Sequence, residues 1–324
     1  MPDVLASALE RVAAWAGRPV VHTPITGGLS HHVVRVETGT GERWVLRVLD
    51  PRVSAAGLGI PLDLEIANTE RAADAGVGAR VLLRLPGAVL LEHIDGVTLD
   101  AAAVRDPAMT GRVADACRRL HAGPRFATDF SIFRKLEELL ALCRAHELRT
   151  PDGFEDRLPV VPEIEAALEA RRPPDVPCHN DLLPANFILD GAAVRIVDYQ
   201  LSGNNDPAFE LGDIAAEAEY DPEMVTRLTR AYFGDEEPAA RVRLHLIMSN
   251  LTWTLWFSVH HGLLADRAAA AGFDYDAEAA GKFARAARDL DAPEFGPLID
   301  DARGRRAPAR PRTPSPPRPP DRPR

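Results

Sequence analysis

Residues 179–190 read HNDLLPANFILD, and residues 196–200 read IVDYQ. Asp181 is followed five residues later by Asn186, and a predicted hairpin that turns at Asp190-Gly191 leads from there to Asp198. Phosphoryl transfer from ATP needs a carboxylate that accepts a hydroxyl proton, and an amide oxygen and a second carboxylate that hold Mg²⁺. This spacing therefore favours such a site, the alternative being a polar loop that caps a hairpin.

Upstream of this hairpin, the pattern predicts one helix and then a small, strand-rich unit. Apolar residues recur at helical spacing between Leu5 and Ala16. A helix at Leu62–Ala75 interrupts the strands and ends before Gly76. The predicted strands are short β-favouring runs between turn signals, at Pro19–Ile25, His32–Thr38, Arg43–Leu49, Val81–Leu85 and Ala88–Ile94.

From Leu99 onward the pattern is helical, apart from the hairpin. The predicted helices are Val113–His121, Ile132–Ala145, Val225–Phe233 and Arg241–His261. A small β-rich lobe beside a larger helical lobe is an α+β, two-lobed fold. We assign residues 1–95 to the N-terminal lobe and residues 96–302 to the C-terminal lobe. Residues 303–324 contain eight Arg and eight Pro with almost no apolar bulk, which predicts a disordered tail.

The charge is unevenly distributed and limits the classes of ligand. The formal net charge is −10, but residues 303–324 carry +7, so the rest of the chain carries −17. An acidic body argues against nucleic acid as a partner and leaves room for a cationic ligand. Only two lysines occur, Lys135 and Lys282, so nearly all positive charge is Arg.

Other features of the composition predict a cytoplasmic protein without a membrane span. The segment MPDVLASALERVAAW at residues 1–15 has charges where a signal peptide needs an apolar run. The segment Leu244–His261 lacks charged residues but contains several polar ones, which favours a buried helix. Three cysteines without metal-ligand spacing predict neither a disulfide framework nor a zinc site. The sequence leaves open whether the protein is a homodimer.

Three segments, HNDLLPANFILD, IVDYQLSGNNDPAFELGD and ITGGLSHHVVRV, resemble the choline/ethanolamine kinase family. This family lies within the wider aminoglycoside-phosphotransferase and protein-kinase-like fold, and the resemblance extends from Ile25 to Leu298. It implies a protein-kinase-like enzyme that transfers the γ-phosphoryl group of ATP, with Mg²⁺, to a small amino alcohol such as choline or ethanolamine. It also implies Asp181 as the catalytic base and Asn186 and Asp198 as Mg²⁺ ligands.

The same resemblance assigns a glycine loop over the phosphates. Gly27, Gly28 and Ser30 would lie in that loop, where backbone N–H groups meet phosphate oxygens. A pair of glycines is a weak signal alone, but this pair stands between two predicted strands. The residues Glu92-His93-Ile94 would form the hinge between the lobes, where adenine would bind backbone groups.

A protein kinase has a lysine on its third strand, and this chain has Arg47 at that place. Its resemblance to the choline-kinase branch implies that Arg47 contacts the phosphates, for which a planar guanidinium is well suited. Glu65 is the expected helical partner of Arg47, and Glu70 is the second candidate. The alternatives are that Arg47 is an exposed residue of the strand and that Glu65 lies on a solvated face of the helix.

Trp253 and Trp256 are spaced so that they share one face of a helix. The resemblance implies that they wall the acceptor site, where a quaternary ammonium is attracted to aromatic ring faces. Two such Trp in an apolar helix could equally be core residues. Glu217 and Tyr220 are candidates for a negative charge and a third aromatic wall, the alternative being a surface helix.

Two departures from the family pattern qualify the resemblance. His31 replaces a frequent Asn after the glycine loop, and Glu210 replaces an Asp. Two other functions are considered. One keeps the fold with an aminoglycoside, thiamine or another small alcohol as acceptor. The other is a catalytically inactive nucleotide-binding scaffold.

Overall fold

The computed structural model describes residues 2–25, 29–264 and 273–304. Its N-terminal part is an antiparallel sheet in the order β1-β2-β3-β5-β4. A helix, α1 (Pro2–Ala16), covers one face of the sheet through Ala8 and Val12. The strands are β1 (Val20–Pro24), β2 (His32–Thr38), β3 (Arg43–Val48), β4 (Val81–Leu85) and β5 (Ala88–Glu92).

Alternating side chains decide which face of this sheet is buried. Val34 and Val36 on β2 are fully buried, as is Leu46 on β3. These positions share a face, because successive residues of a strand point to opposite sides. Two helices follow β3, the short α2 (Pro51–Ala55) and the longer α3 (Leu62–Asp74).

The C-terminal part is mostly helical and is organised around one long buried helix. This helix, α10 (Ala239–Leu263), is buried on nearly all sides, as predicted for residues 244–261. The other helices are α4 (Ala101–Arg105), α5 (Pro107–His121), α6 (Ile132–Ala145), α7 (Val161–Glu169), α8 (Pro207–Glu217), α9 (Pro222–Phe233), α11 (Tyr275–Leu290) and α12 (Phe295–Ala302). No described helix combines the length and hydropathy needed to cross a bilayer.

Two small sheets hold the segments on which the catalytic residues lie. The predicted hairpin is formed by β8 (Phe187–Asp190) and β9 (Ala193–Ile196), with β6 (Val97–Thr98) beside β8. A second pair joins β7 (Val176–Cys178) to β10 (Gly203–Asn205) in antiparallel register. The two pairs enclose the loop between β7 and β8, which carries Asp181.

The predicted two-lobed α+β fold is confirmed, but the structure contains helices that were not predicted, among them α8 and α11, and two predicted helices begin early. The helix α5 begins at Pro107 instead of Val113, because Asp106 caps it through the Ala108 N–H. The helix α9 likewise begins three residues early, where Asp221 accepts the Met224 N–H. The last described helix ends at Ala302, and most of the predicted tail, residues 305–324, lies outside the described residues.

Candidate active site

Backbone and side-chain hydrogen bonds hold the loop that carries Asp181 against the hairpin. The Asp181 N–H donates to His179 Nδ1 at 3.2 Å, and Asn186 Nδ2 donates to the Asp181 carbonyl at 2.8 Å. His179 Nε2 lies 2.9 Å from the Val197 carbonyl, next to Asp198. The three predicted catalytic and metal-binding residues are therefore tied into one rigid unit.

Glu210 on α8 braces this loop from behind. Its two carboxylate oxygens accept the N–H groups of His179 and Asn180, each at 2.8 Å. Burial opposes ionisation of Glu210, but His121 and these donors hold its pKa below the ordinary value. The ring of His121 lies 3.6 Å from Glu210. The substitution of Glu for the family's Asp thus preserves a brace on the catalytic loop.

Arg47 joins the sheet to the catalytic hairpin through two ion pairs. Its guanidinium lies 3.3 Å from Glu65 Oε1 and 2.5 Å from Asp198 Oδ1. Burial opposes ionisation of Asp198, but Arg47 keeps its pKa below the ordinary value. The second candidate partner, Glu70, pairs instead with Arg84 on β4.

His31 lies beside the same group of charges. Its Nδ1 accepts the Asp50 N–H at 3.0 Å, which leaves Nε2 pointing toward Glu65 Oε2 at 3.5 Å. This departure from the family pattern therefore stays within reach of the Arg47–Glu65 pair. Ser30 is buried nearby, and its Oγ accepts Gln200 Nε2 at 3.1 Å. Gly27 and Gly28 lie outside the described residues.

A cleft of about 450 Å³ runs between the two lobes. Of the residues described above, Ser30, His31, Arg47, Asp181, Asn186 and Asp198 line it. One end has an apolar lining, as a planar base requires. Glu92 and Ile94 both line this end, and the Glu92 carboxylate accepts the Arg80 N–H. The apolar residues at this end are Val33, Val45, Ala79, Leu91, Ile188 and Val197.

The other end of the cleft is walled by the two Trp of α10. Trp253 and Trp256 both line it, although they are only 4% and 8% exposed and also belong to the large hydrophobic core. Each indole N–H is committed to a fixed acceptor. Trp253 donates to Asp213 at 2.8 Å, and Trp256 donates to the Leu58 carbonyl at 3.3 Å. The rings thus serve as core on one side and as cleft wall on the other.

Glu217 lines the same end, whereas Tyr220 does not. Helix α8 ends at Glu217, and the chain then turns through Glu219, which has a left-handed φ of 53°. Tyr220 therefore points away from the cleft, and its hydroxyl donates to the Val104 carbonyl at 2.6 Å. The structure corrects the expectation that Tyr220 forms a third aromatic wall, because this side chain lies outside the cleft lining.

Sequence reasoning missed Asp213, which links the Trp-lined end of the cleft to the loop that carries Asp181. This fully buried carboxylate accepts the Leu182 N–H at 2.7 Å and Ser249 Oγ at 2.8 Å, in addition to Trp253. Burial and Glu217 raise the pKa of Asp213 to about 7, although its three donors favour the ionised form. Its signal in the sequence was a charged residue inside an apolar helix.

The sequence reasoning also missed Lys282 on α11, which lines the cleft with Glu217, Trp253 and Trp256. Its Nζ contacts Glu217 Oε1 at 2.5 Å, and both side chains line the cleft. Its only signal was the scarcity of lysine in this chain. Burial, Asp213 and Glu217 raise the pKa of Asp181 well above its ordinary value, and Lys282 opposes that shift. A carboxylate with a raised pKa is a stronger proton acceptor once ionised.

Comparisons with known proteins identify the family of this chain. A family model described as a phosphotransferase enzyme family (APH) matches residues 21–244. The chain is 28% identical over 256 residues to protein LicA of Haemophilus influenzae, covering 73% of each chain. It is 24% identical to the probable choline kinase 2 of Arabidopsis thaliana, covering 78% of this chain and 80% of that protein.

Among solved structures, the chain is similar to a choline/ethanolamine kinase family protein from Mesorhizobium loti. The TM-score is 0.77 at 29% identity, and the match covers 93% of this chain and 99% of the other. The chain therefore belongs to the phosphotransferase family and has the protein-kinase-like fold. It is a small-molecule kinase.

Proposed function

We propose that the protein transfers the γ-phosphoryl group of ATP to the hydroxyl of a small cationic amino alcohol of the choline or ethanolamine type. The observation that carries this proposal is the presence of Trp253, Trp256 and Glu217 in the same cleft as Asp181. Aromatic faces attract a cation that cannot donate hydrogen bonds. The names of the relatives point to the same class of acceptor.

The residues at the end of the hairpin fit a Mg²⁺ ion. Asn186 and Asp198 both line the cleft, and Arg47 holds the Asp198 carboxylate in place through Oδ1. Asn186 donates from Nδ2, which leaves its amide oxygen for a metal. Carboxylate and amide oxygens are the ligands that Mg²⁺ prefers. When bound, Mg²⁺ would neutralise charge on the phosphates.

Asp181 is the proposed proton acceptor of the reaction. The acceptor hydroxyl loses its proton to the Asp181 carboxylate as its oxygen forms a bond to the γ-phosphorus. The bond between that phosphorus and the β-phosphate oxygen breaks, and ADP leaves. Glu210 and Asn186 hold the loop, so the carboxylate keeps its place during this step.

Arg47 is the proposed phosphate contact, with Glu65 holding its guanidinium in position. Ser30 is a proposed contact of the phosphates, and Glu92 and Ile94 form the proposed adenine site. Fixed positive charge beside the phosphates stabilises the charge that moves during transfer. We also propose that the lobes divide between residues 95 and 96, because the hinge end of the cleft lies there. We further propose a cytoplasmic location, where ATP is supplied.

The test is ADP release measured with choline, ethanolamine, thiamine and an aminoglycoside, each with and without Mg²⁺. We expect turnover with choline or ethanolamine that needs Mg²⁺ and exceeds turnover with the other two. The Asp181→Asn variant serves as the control for contaminating ATP hydrolysis. Turnover only with thiamine or an aminoglycoside would reject the proposed acceptor. A folded enzyme that turns over none of them would favour the inactive scaffold.

A further inference from the structure

An ion pair within the protein occupies part of the acceptor end of the cleft. Lys282 and Glu217 are in contact at 2.5 Å, and their side chains are only 4% and 7% exposed. Both line the cleft together with Trp253, Trp256 and Asp181. Charges that are this well buried are weakly screened by water and salt. Glu217 is therefore already paired with a cation of the protein, the Lys282 ammonium.

The use of lysine at this position is unusual for this chain. Only two residues of the 38 that are Lys or Arg are lysines. An ammonium is a compact point charge, whereas a guanidinium is a broad planar fork that also covers aromatic faces. Lys282 can therefore neutralise Glu217 without blocking the rings of Trp253 and Trp256.

We propose that Lys282 is a specificity-determining residue that sets how strongly the acceptor pocket prefers a cation. With Lys282 in place, the Glu217–Lys282 pair has no net charge, and the aromatic rings hold the cationic acceptor. Without Lys282, Glu217 would present a free carboxylate to the cleft and attract cations more strongly. This inference rests on the proposed function, because it assumes that the acceptor enters this end of the cleft.

The test compares choline with its uncharged isostere dimethylbutanol, in which a carbon atom replaces the quaternary nitrogen. The two alcohols have the same shape, so the ratio of their KM values reports the charge preference alone. Lys282→Met should raise the preference for choline by about tenfold or more, and Glu217→Gln should lower it by a similar factor. The double variant restores a neutral wall and should return the ratio to near the wild-type value.

The chain offers a matched control at its other lysine. Lys135 on α6 forms an ion pair with Glu138 at 2.6 Å, and it does not line the cleft. Lys135→Met makes the same chemical change and should leave the KM ratio unmoved. If Lys282→Met fails to fold because Glu217 loses its partner, the Glu217→Gln and double variants still test the expected order.

The failure of this inference is distinguishable from the failure of the proposed function. An active enzyme whose KM ratio stays the same in all variants overturns the inference and leaves the proposed function intact. An equal loss of kcat for both alcohols, with an unchanged ratio, also overturns it. A wild-type enzyme that phosphorylates neither of these alcohols nor ethanolamine overturns the proposed function and the inference together.

Discussion

The two ends of the cleft are built from different kinds of structure. At the nucleotide end, Arg47 stands on a strand and meets Glu65 and Asp198 through ion pairs. At the acceptor end, the walls come from three different helices. Glu217 lies on α8, Trp253 and Trp256 lie on α10, and Lys282 lies on α11.

Under the proposed function, this difference matches the two substrates. ATP brings a fixed polyanion, so the nucleotide end needs positive charge held in place by neighbouring carboxylates. A small cationic alcohol carries a single positive charge. The acceptor end therefore needs a complementary shape, aromatic ring faces and a suitable net charge on its lining residues. If the two ends are separate, substitutions at one end should change the affinity for one substrate only. The predictions below test that separation.

The largest effect is expected at the junction of the two ends. Asp181→Asn should lower kcat on the order of 10²–10⁴-fold, because the proton acceptor is lost. Binding of Mg-ATP and of the acceptor should change little, because the loop keeps its hydrogen bonds through backbone groups and Asn186. Turnover and nucleotide binding by calorimetry measure the two quantities.

Asp190→Asn is the matched control for that variant. Asp190 lies at the turn of the hairpin that follows the Asp181 loop, and it lies outside the cleft lining. It should retain wild-type turnover. Near-native turnover of folded Asp181→Asn would reject the role of this carboxylate as proton acceptor. Asp181 would then not link the two ends of the cleft.

Asp213 should make the stability of the protein depend on pH. Its pKa is raised to about 7 in the fold, mainly by burial and then by Glu217. The unfolded chain releases this proton near pH 4, so the stabilising contribution is full below about pH 4 and is lost as pH rises to about 7. Wild type should lose up to about 4 kcal/mol relative to Asp213→Asn across that window.

Denaturant unfolding of both proteins at several pH values measures this difference. Groups far from Asp213 contribute equally to both curves and cancel. Asp181 does not, because Asp213 raises its pKa, so both proteins are measured in an Asp181→Asn background. Parallel curves for the two proteins would show that Asp213 is ionised in the fold throughout. The acceptor end would then contain more negative charge than the raised pKa implies.

The sequence predicted the nucleotide end better than the acceptor end, for a physical reason. Asn186 and Asp198 flank one hairpin, and Asp181 lies five residues before Asn186, so their spacing along the chain determines their spacing in the fold. The contact of Lys282 with Glu217 joins residues 65 apart in the chain, and nothing in the pattern of α11 identifies it.

The misplacement of Tyr220 has a related origin. Its position in the fold depends on where α8 stops, and the left-handed turn at Glu219 has no glycine to reveal it. Asp213 could be recognised as an oddity in an apolar helix, but its partners Ser249 and Trp253 could not be assigned. Contacts between distant helices follow from packing, which the periodicity of a single helix does not specify.

A smaller effect is expected from the proposed Mg²⁺ ligands. Asn186→Ala and Asp198→Asn should each weaken the apparent affinity for Mg²⁺ by about ten- to hundredfold, because few protein groups hold the ion. The KM for the acceptor should stay the same, since neither residue belongs to the acceptor wall. Activity titrated with Mg²⁺ at saturating ATP and acceptor measures this.

Asp198→Asn also removes a partner of Arg47, so a melting curve must accompany it. Asn186→Ala leaves that ion pair intact and provides the cleaner comparison. Unchanged Mg²⁺ titrations in both variants would contradict the metal assignment. A rise in acceptor KM would contradict the separation of the two ends.

The smallest effect is expected at the aromatic wall, and Trp256→Leu is the sharper variant. A desolvated cation–π contact contributes about 2 kcal/mol, so the KM for choline should rise by roughly tenfold or more. The KM for Mg-ATP should stay the same. Trp253→Leu is less specific, because it also removes a donor from Asp213 and thereby affects the catalytic loop.

Trp44→Leu is a matched control, because Trp44 packs edge-on against Trp15 in the N-terminal lobe and lies outside the cleft lining. It should lower stability without a selective change in choline KM. The core role of Trp256 predicts a lower melting temperature too, since a large buried side chain is truncated. The choline KM therefore decides. A lower melting temperature with unchanged choline KM would mean that the ring serves as core alone, and the acceptor end would then discriminate by charge and not by aromatic contact.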